Sequence, residues 1–176
     1  LSIRTTGSYG TVGGLPVASY GAVASSRSSI SLTDATILTE GQGAAGAYAI
    51  DSQLSLTRVN IETRGAAYVA GGSFGSFGAY GVLANQQIGT RSSVSMTGGT
   101  VRTAGNMAYG LFAIASDITA NGTSINTTGA SAYGVFARSG SVVAGTGTNV
   151  NTSGATAYGV YAVGGGASQG NVVHIA

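Results

Sequence analysis

The chain has 176 residues, a formal charge of +2 and 7% charged residues, with 31 glycines, one proline and no cysteine. An apolar content of 43% argues against disorder, and the missing cysteines exclude disulfides and thiol chemistry. No apolar stretch reaches the length of a membrane-spanning helix. The seven arginines are scattered and form no basic block, so nucleic-acid binding is not indicated.

A short motif, Ala-Tyr-Gly followed by an apolar run, recurs along the chain. We align its copies on Tyr20, Tyr48, Tyr80, Tyr109, Tyr133 and Tyr158, which lie 28, 32, 29, 24 and 25 residues apart. Repeats of this length are typical of stacked supersecondary units. We expect each tyrosine and the residue two positions later to face inward. The position three residues after each tyrosine is occupied by Asp51 in one copy. We expect this position to face outward, because a carboxylate in a dry core would be costly.

Between the tyrosines, five 13-residue segments align without a gap, at residues 29–41, 53–65, 93–105, 117–129 and 142–154. Their alternation of apolar and polar residues predicts short β-strands with one buried face. Every segment has a threonine near its end and a glycine two residues later, and these glycines are Gly41, Gly65, Gly105, Gly129 and Gly154. We expect the glycines to form a turn that needs positive φ.

The motif strand and the two halves of the 13-residue segment predict three strands per coil of roughly 24 residues. Because β-branched residues and glycine dominate, the predicted fold is all-β, a parallel β-helix (β-solenoid) with coils about 4.8 Å apart. We expect a single solenoid segment over residues 1–176, truncated at both ends from a longer repeat array. Three insertions, at residues 8–19, 66–78 and 85–91, are expected to form loops, either as a binding face or as tolerated surface decoration.

The charged residues test this alignment, because equivalent positions of successive coils are stacked neighbours. The alignment predicts three structural ion pairs between adjacent coils, Asp34–Arg58, Glu40–Arg64 and Glu62–Arg102. Each exposed pair is worth only about 0.2–1 kcal/mol, so its value is in specifying the register of the strands.

The motif strands at residues 132–137 and 157–162, together with the Gly-Thr-x-Val-x-Thr-x-Gly pattern at residues 147–154, resemble the passenger domains of bacterial autotransporters of the pertactin-like type. The resemblance covers nearly the whole chain, from Ile3 to about Val163. It implies a right-handed β-helix, type V secretion, a secreted or outer-membrane-displayed location, and frequent roles in adhesion and virulence. Membrane attachment would then be made only through a C-terminal barrel that this sequence does not contain.

The candidate interaction surface consists of aromatic residues. The column Phe112, Phe136 and Tyr161 would form an outward stripe that binds sugar rings or another protein, and Phe74 and Phe77 lie on the second insertion. The alternative is that this aromatic column packs under a neighbouring domain or turns inward. Inward packing would fill space in the core, because the side chains of one predicted core column become smaller along the chain, from Leu32, Leu56 and Met96 to Ala120 and Gly145.

No catalytic, cofactor or metal site is predicted. The single histidine, His174, has no partner residues for a zinc site or a triad, and the five carboxylates do not form an acidic cluster in one column. The calcium-binding glycine–aspartate repeat and the phosphate-loop motif are also missing.

The leading functional prediction is a structural and adhesive surface module, not an enzyme, that contacts a host or bacterial surface protein or glycan, or a second copy of itself. A carbohydrate-binding or carbohydrate-active β-helix is the alternative. An ice-binding solenoid is less favoured, because the outward neighbours of the constant threonines are irregular, as at Leu38, Glu62 and Arg102.

Overall fold

The computed structural model describes residues 1–12, 15–69, 76–164 and 170–176, and the regular elements in these ranges are β-strands. In the first part of the chain they are β1 (Ser2–Thr5), β2 (Gly10–Val12), β3 (Leu15–Val17), β4 (Tyr20–Ser25), β5 (Ser29–Thr33), β6 (Thr36–Thr39), β7 (Ala45–Ile50), β8 (Gln53–Thr57), β9 (Asn60–Thr63), β10 (Tyr68–Val69) and β11 (Ser76–Phe77). They continue as β12 (Val82–Asn85), β13 (Ser93–Thr97), β14 (Thr100–Thr103), β15 (Leu111–Ile114), β16 (Asp117–Asn121), β17 (Ser124–Thr127), β18 (Val135–Arg138), β19 (Val142–Gly145), β20 (Asn149–Thr152), β21 (Val160–Val163) and β22 (Val172–Ile175). Within the described ranges no helix is long and apolar enough to cross a membrane.

Eighteen of these strands form three parallel sheets of six strands each, and every coil contributes one strand to each sheet in turn. Sheet I has the order β4-β7-β12-β15-β18-β21, and sheet II has the order β5-β8-β13-β16-β19-β22. Sheet III has the order β1-β6-β9-β14-β17-β20. The predicted all-β parallel β-helix with about three strands per coil is therefore confirmed.

The register of the 13-residue segments is also confirmed. In sheet III, Ile61 lies beside Ile37 and Val101, and in sheet II, Val94 lies beside Leu54 and Ile118. These side chains are buried in one aliphatic cluster between the three sheets, which we call the inner core. Its walls on sheet I are mostly alanines and valines, because three sheets meet in a narrow interior.

The constant threonines close the corner between sheets III and I. Thr39, Thr63, Thr103 and Thr127 are buried, and each hydroxyl donates to the carbonyl of an alanine at the start of the next motif, over 2.7–3.2 Å. Because a buried hydroxyl without a partner would be costly, this bond explains why threonine occupies an inward position.

The constant glycines do not have the positive φ that the sequence predicted. Positive φ occurs two residues later, at Gly43, Met107, Ser131 and Thr156. The glycines are needed for another reason: a Cβ on Gly129 would overlap the carbonyl oxygen of Gly105, and the same contact recurs along the column. The prediction was wrong because close backbone approach between coils, and not the turn conformation, excludes a side chain here.

A left-handed turn also lies between sheets II and III. Asp34, Arg58, Gly98, Gly122 and Gly147 occupy equivalent positions there, each with φ between 50° and 66°. Two adjacent coils therefore place charged residues where the following three have glycine.

One tyrosine was misaligned. In sheet I, Tyr20 and Tyr80 lie in register with Ala45, and Tyr48 pairs with Val23 and Leu83. Tyr48 therefore belongs to the column three residues after the motif tyrosine, and the inward residue of its coil is Ala47 instead of Ile50. Asp51 follows the end of β7 and does not belong to that column.

The ion pairs agree with the predicted alignment in two cases of three. Arg58 binds Asp34 through two hydrogen bonds of 2.6 Å, and Arg64 Nη1 lies 3.3 Å from Glu40 Oε1. Glu62 and Arg102 are neighbours in register, but Glu62 accepts a bond from Arg64 Nε at 2.7 Å instead. The predicted stacking of Glu62 on Arg102 is therefore confirmed, but the ion pair does not form, because Arg64, two residues after Glu62, binds the carboxylate.

Asp117 and Asp51 also have partners, and Glu40 has a second one. Glu40 also binds Arg4, and Asp117 binds Arg91. Asp51 is buried and accepts hydrogen bonds of 2.9–3.1 Å from the amides of Gln87 and Ile88. Asp51 therefore anchors the third insertion to the corner between sheets I and II.

The first two insertions contain antiparallel hairpins, β2–β3 and β10–β11. Both leave the corner between sheets III and I, and the rings of Tyr9 and Tyr68 lie beside them with centroids 4.5 Å apart. The described parts of these two insertions therefore lie at the same corner of the solenoid.

Candidate functional site

The outer face of sheet I carries two columns of apolar and mostly aromatic side chains. The first column, which we call the tyrosine column, consists of Tyr20, Ala45, Tyr80, Tyr109, Tyr133 and Tyr158, and the second column consists of Val23, Tyr48, Leu83, Phe112, Phe136 and Tyr161. We refer to the two columns together as the outer aromatic face. Sheet I therefore has apolar side chains on both sides, with the inner core behind it.

The glycine of the motif explains why the tyrosines lie outside. A Cβ on Gly110 would stand 2.5 Å from Ile125 Cγ2 and 2.6 Å from the Gly134 carbonyl oxygen, so this position faces the interior. Leu111, the next residue, is also in the inner core. Two successive inward residues at a bend break the alternation, and Tyr109 is left on the outside. The prediction that the tyrosines face the core was therefore wrong.

In the later coils the rings contact one another from coil to coil, from Tyr80 to Tyr158 in the tyrosine column and from Phe112 to Tyr161 in the second column. Tyr109 and Tyr133 are nearly parallel, with centroids 4.9 Å apart, and Phe112 and Phe136 are parallel at 4.7 Å. Between the columns the rings meet edge to face, as Tyr109 does with Phe112 at 89° and with Phe136 at 90°. Both arrangements are favourable for aromatic quadrupoles, and each such pair contributes about 0.5–1.5 kcal/mol beyond its buried area.

The predicted interaction surface is only partly exposed. Phe112 and Phe136 point away from the inner core, as expected for an outward column, but they are only 4% and 9% exposed. Tyr161 is 37% exposed, but the inward Val160 of the same edge strand is 46% exposed as well, so the stripe itself is covered where both neighbouring strands are present. The physical reason is that the motif tyrosines lie across the second column and bury it. Phe74 lies outside the described residues, and for Phe77 only the backbone, in β11, is described.

Burial changes the acidity of the phenols. Desolvation raises the pKa of Tyr80 to about 12 and that of Tyr20 to about 12. It also raises the pKa of Tyr48 and of Tyr109. These phenols are therefore neutral at physiological pH and act as uncharged hydrogen-bonding groups.

A groove of about 410 Å³ runs along the outer aromatic face. Leu83, Phe112 and Phe136 line its floor, and Tyr80 and Tyr109 line one side. The opposite side is formed by the next outward position of three successive strands, which holds Asn85, Ile114 and Arg138.

Polar groups occupy both ends of this groove. At one end, Asn85 Nδ2 and Gln87 Nε2 lie 3.2 and 3.5 Å from the Tyr48 hydroxyl oxygen and donate to it. At the other end is Arg138, an exposed side chain that forms no ion pair with the described residues. Sequence reasoning missed Arg138 because nothing in its spacing distinguishes it, and it missed Tyr48 because of the alignment error.

The histidine and the carboxylates do not form a metal or catalytic site among the described residues. His174 is exposed in β22, and across the described ranges no three His, Cys, Asp or Glu side chains come together as metal ligands. Each of the five carboxylates already has a partner, in an ion pair or at the Asp51 anchor.

Comparison with known proteins adds no relative. No protein-family model matches the chain, and the searches of curated proteins and of solved structures likewise return no match.

Proposed function

We propose that this chain is a structural and adhesive module of a bacterial surface or secreted protein. It acts as a rigid β-helical rod that presents its faces and corner hairpins to a partner surface. The observation that carries the proposal is the in-register pairing of three six-stranded parallel sheets, which leaves the long outer faces and the inserted hairpins as the surface available for contact. The bacterial surface location rests on the resemblance of the motif strands to autotransporter passenger domains.

Three features support a rod whose shape is fixed. Every strand between the two edges of a sheet is hydrogen-bonded to the equivalent strands of the coils before and after it, and the inner core continues from coil to coil. At the corner between sheets III and I, buried threonine hydroxyls donate hydrogen bonds to backbone carbonyls, and the glycine column lets the backbones of successive coils approach closely. In such solenoids each coil contacts its neighbours only, so a stiff extended surface results.

The test is an adhesion assay with beads coated with the folded chain. We expect retention on epithelial cells, matrix proteins or bacterial cells, or concentration-dependent bead clustering, above the level of beads coated with an unrelated β-sandwich. Beads carrying the same chain after irreversible heat denaturation should lose this retention, because the contact surface exists only in the solenoid. Equal retention for the folded chain and the β-sandwich on every surface, without clustering, would contradict the adhesive role.

A further inference from the structure

We propose that the groove on the outer aromatic face binds a small aromatic molecule carrying one negatively charged group, such as a carboxylate or sulfonate. This ligand site goes beyond the proposed adhesive function and does not depend on it.

The dimensions of the groove suit a small molecule. Its volume of about 410 Å³ lies within the range of about 300–1,000 Å³ that ligand pockets occupy. Asn85 and Arg138 lie two coils apart along its side, which is about 10 Å at the usual strand spacing. One or two aromatic rings with an acidic substituent span that distance.

The orientation of the floor rings favours an aromatic body. Phe112 and Phe136 stack on each other with parallel planes and are flanked in the same column by Leu83 and Tyr161, so their faces are occupied and the small exposed part of the two rings is edge. Ring edges carry partial positive charge and attract the face of another ring. The protein already uses this contact, since Tyr109 meets both phenylalanine rings at about right angles. Sugar rings, by contrast, stack on aromatic faces, which are not free here.

Charge selects an anion. Arg138 lines the groove and has no carboxylate partner among the described residues, whose five carboxylates are all held elsewhere. Its guanidinium lies close enough to Tyr80 to oppose the rise in the pKa of that phenol. A ligand acid at this end would supply the missing counter-ion and accept charge-assisted hydrogen bonds.

The opposite end supplies a donor. The Tyr48 oxygen accepts bonds from both Asn85 and Gln87, and in the described structure its own proton is given to no acceptor. A neutral polar substituent of the ligand can accept that proton. The groove thus has a donor at one end, an apolar middle at Ile114 and Phe112, and a cation at the other end.

The experiment is a fluorescence titration of the full chain with two probes of similar shape, anionic 8-anilinonaphthalene-1-sulfonate and neutral N-phenyl-1-naphthylamine. Arg138→Gln removes the charge at the groove. Arg102→Gln is the matched control, because Arg102 also lacks an ion pair in the described structure but lies on sheet III. We expect saturable binding of one anionic probe per chain. Arg138→Gln should weaken it by about three- to fivefold, with the neutral probe and the Arg102→Gln variant nearly unchanged.

A second variant places the site within the groove. Ile114→Glu introduces a carboxylate beside the floor rings and should abolish binding of the anionic probe while the far-ultraviolet circular dichroism spectrum is retained. If this variant does not fold, the comparison of the two arginine variants still decides. The proposal is overturned if Arg138→Gln and Arg102→Gln have equal effects, or if Arg138→Gln weakens the binding of both probes equally. It is also overturned if the unmodified chain shows no saturable binding of the anionic probe.

Discussion

Sheet I separates two apolar layers that are built in different ways. Behind it, the inner core is enclosed by three sheets, and Leu111 and Val135 are completely buried there. In front of it, among the described residues, the outer aromatic face is covered by its own tyrosines and, at Tyr80, by Gly78 of the second insertion. Phe112 is buried at mid-length, whereas Tyr109, which lies against it, is half-buried. An enclosed layer needs many strands, but an open layer can be sealed by large side chains that lie across one another.

The difference also explains the composition of the two layers. The inner core is filled by Ala, Val, Leu and Ile, because backbones approach closely at its corners. The outer aromatic face has room for rings and places phenol hydroxyls at its margin. In the outer layer, polar groups such as Asn85 and Arg138 border the apolar floor, so a ligand can contact both kinds of surface there.

The largest effect is expected for Gly134→Ala, which tests the inner side of the motif. A Cβ at this position would overlap Val150 Cγ1 and stand 2.6 Å from the Gly159 carbonyl oxygen. Because the carbonyl belongs to a paired backbone and cannot move away, we expect a loss of about 4 kcal/mol in the free energy of unfolding, measured in urea.

Gly159→Ala is the matched control for that substitution. It lies one coil later in the same column, and a Cβ there would have no atom within 4 Å. We expect a change of less than about 0.5 kcal/mol. Similar losses for the two variants would show that steric contact is not the reason for the glycine.

A neighbouring pair of substitutions compares the two layers directly. Leu111→Ala empties space in the inner core, where about 3 kcal/mol should be lost. Phe112→Ala removes a ring from the outer aromatic face, where the flanking tyrosines can partly close the gap, so about 2 kcal/mol should be lost. Urea unfolding measures both. A cost below about 0.5 kcal/mol for Phe112→Ala would mean that this layer is an ordinary exposed surface.

Alkaline pH should weaken the outer layer selectively. The folded-state pKa of Tyr80 and of Tyr20 is raised to about 12, above the value of about 10 in an unfolded chain. Neutral phenols are thus favoured by folding, and the stabilisation is complete below pH 10 and is lost as the pH rises through 12. Urea midpoints should fall over this interval. Tyr80→Phe should make the decline shallower, and an equally steep decline in that variant would contradict the assignment.

The smallest effect is expected for Asp34→Asn, which removes an ion pair away from both layers. Arg58 lowers the pKa of the Asp34 carboxyl, mainly through their hydrogen bonds, but both side chains are exposed. Any stabilisation is therefore present near neutral pH, is lost as the pH falls through the lowered pKa, and is screened by salt. The shift in the urea midpoint should be smaller than for Phe112→Ala and should disappear in 1 M NaCl, a condition of about 3 Å Debye length. A shift that persists in high salt would contradict this account.

The inner core could be predicted from the sequence and the outer layer could not, for physical reasons. Period-2 alternation in the 13-residue segments determines which face is buried, so the columns through Ile61 and Val94 were correct. The tyrosines were placed wrongly, because the bend at Gly110 puts two successive residues inside and this is not visible in an alternating pattern. Arg138 carries no repeat signal at all, since the equivalent residue of the preceding coil is Ile114.

The most direct test of the two-layer account is a nuclear Overhauser spectrum that assigns the neighbours of the Tyr109 ring. The account predicts cross-peaks from Tyr109 to the rings of Phe112 and Phe136, whose centroids lie 5.5 and 5.3 Å away. Cross-peaks from Tyr109 to the inner-core side chains of Val101 and Ile125, without contacts to the two phenylalanines, would place the tyrosines inside and contradict it.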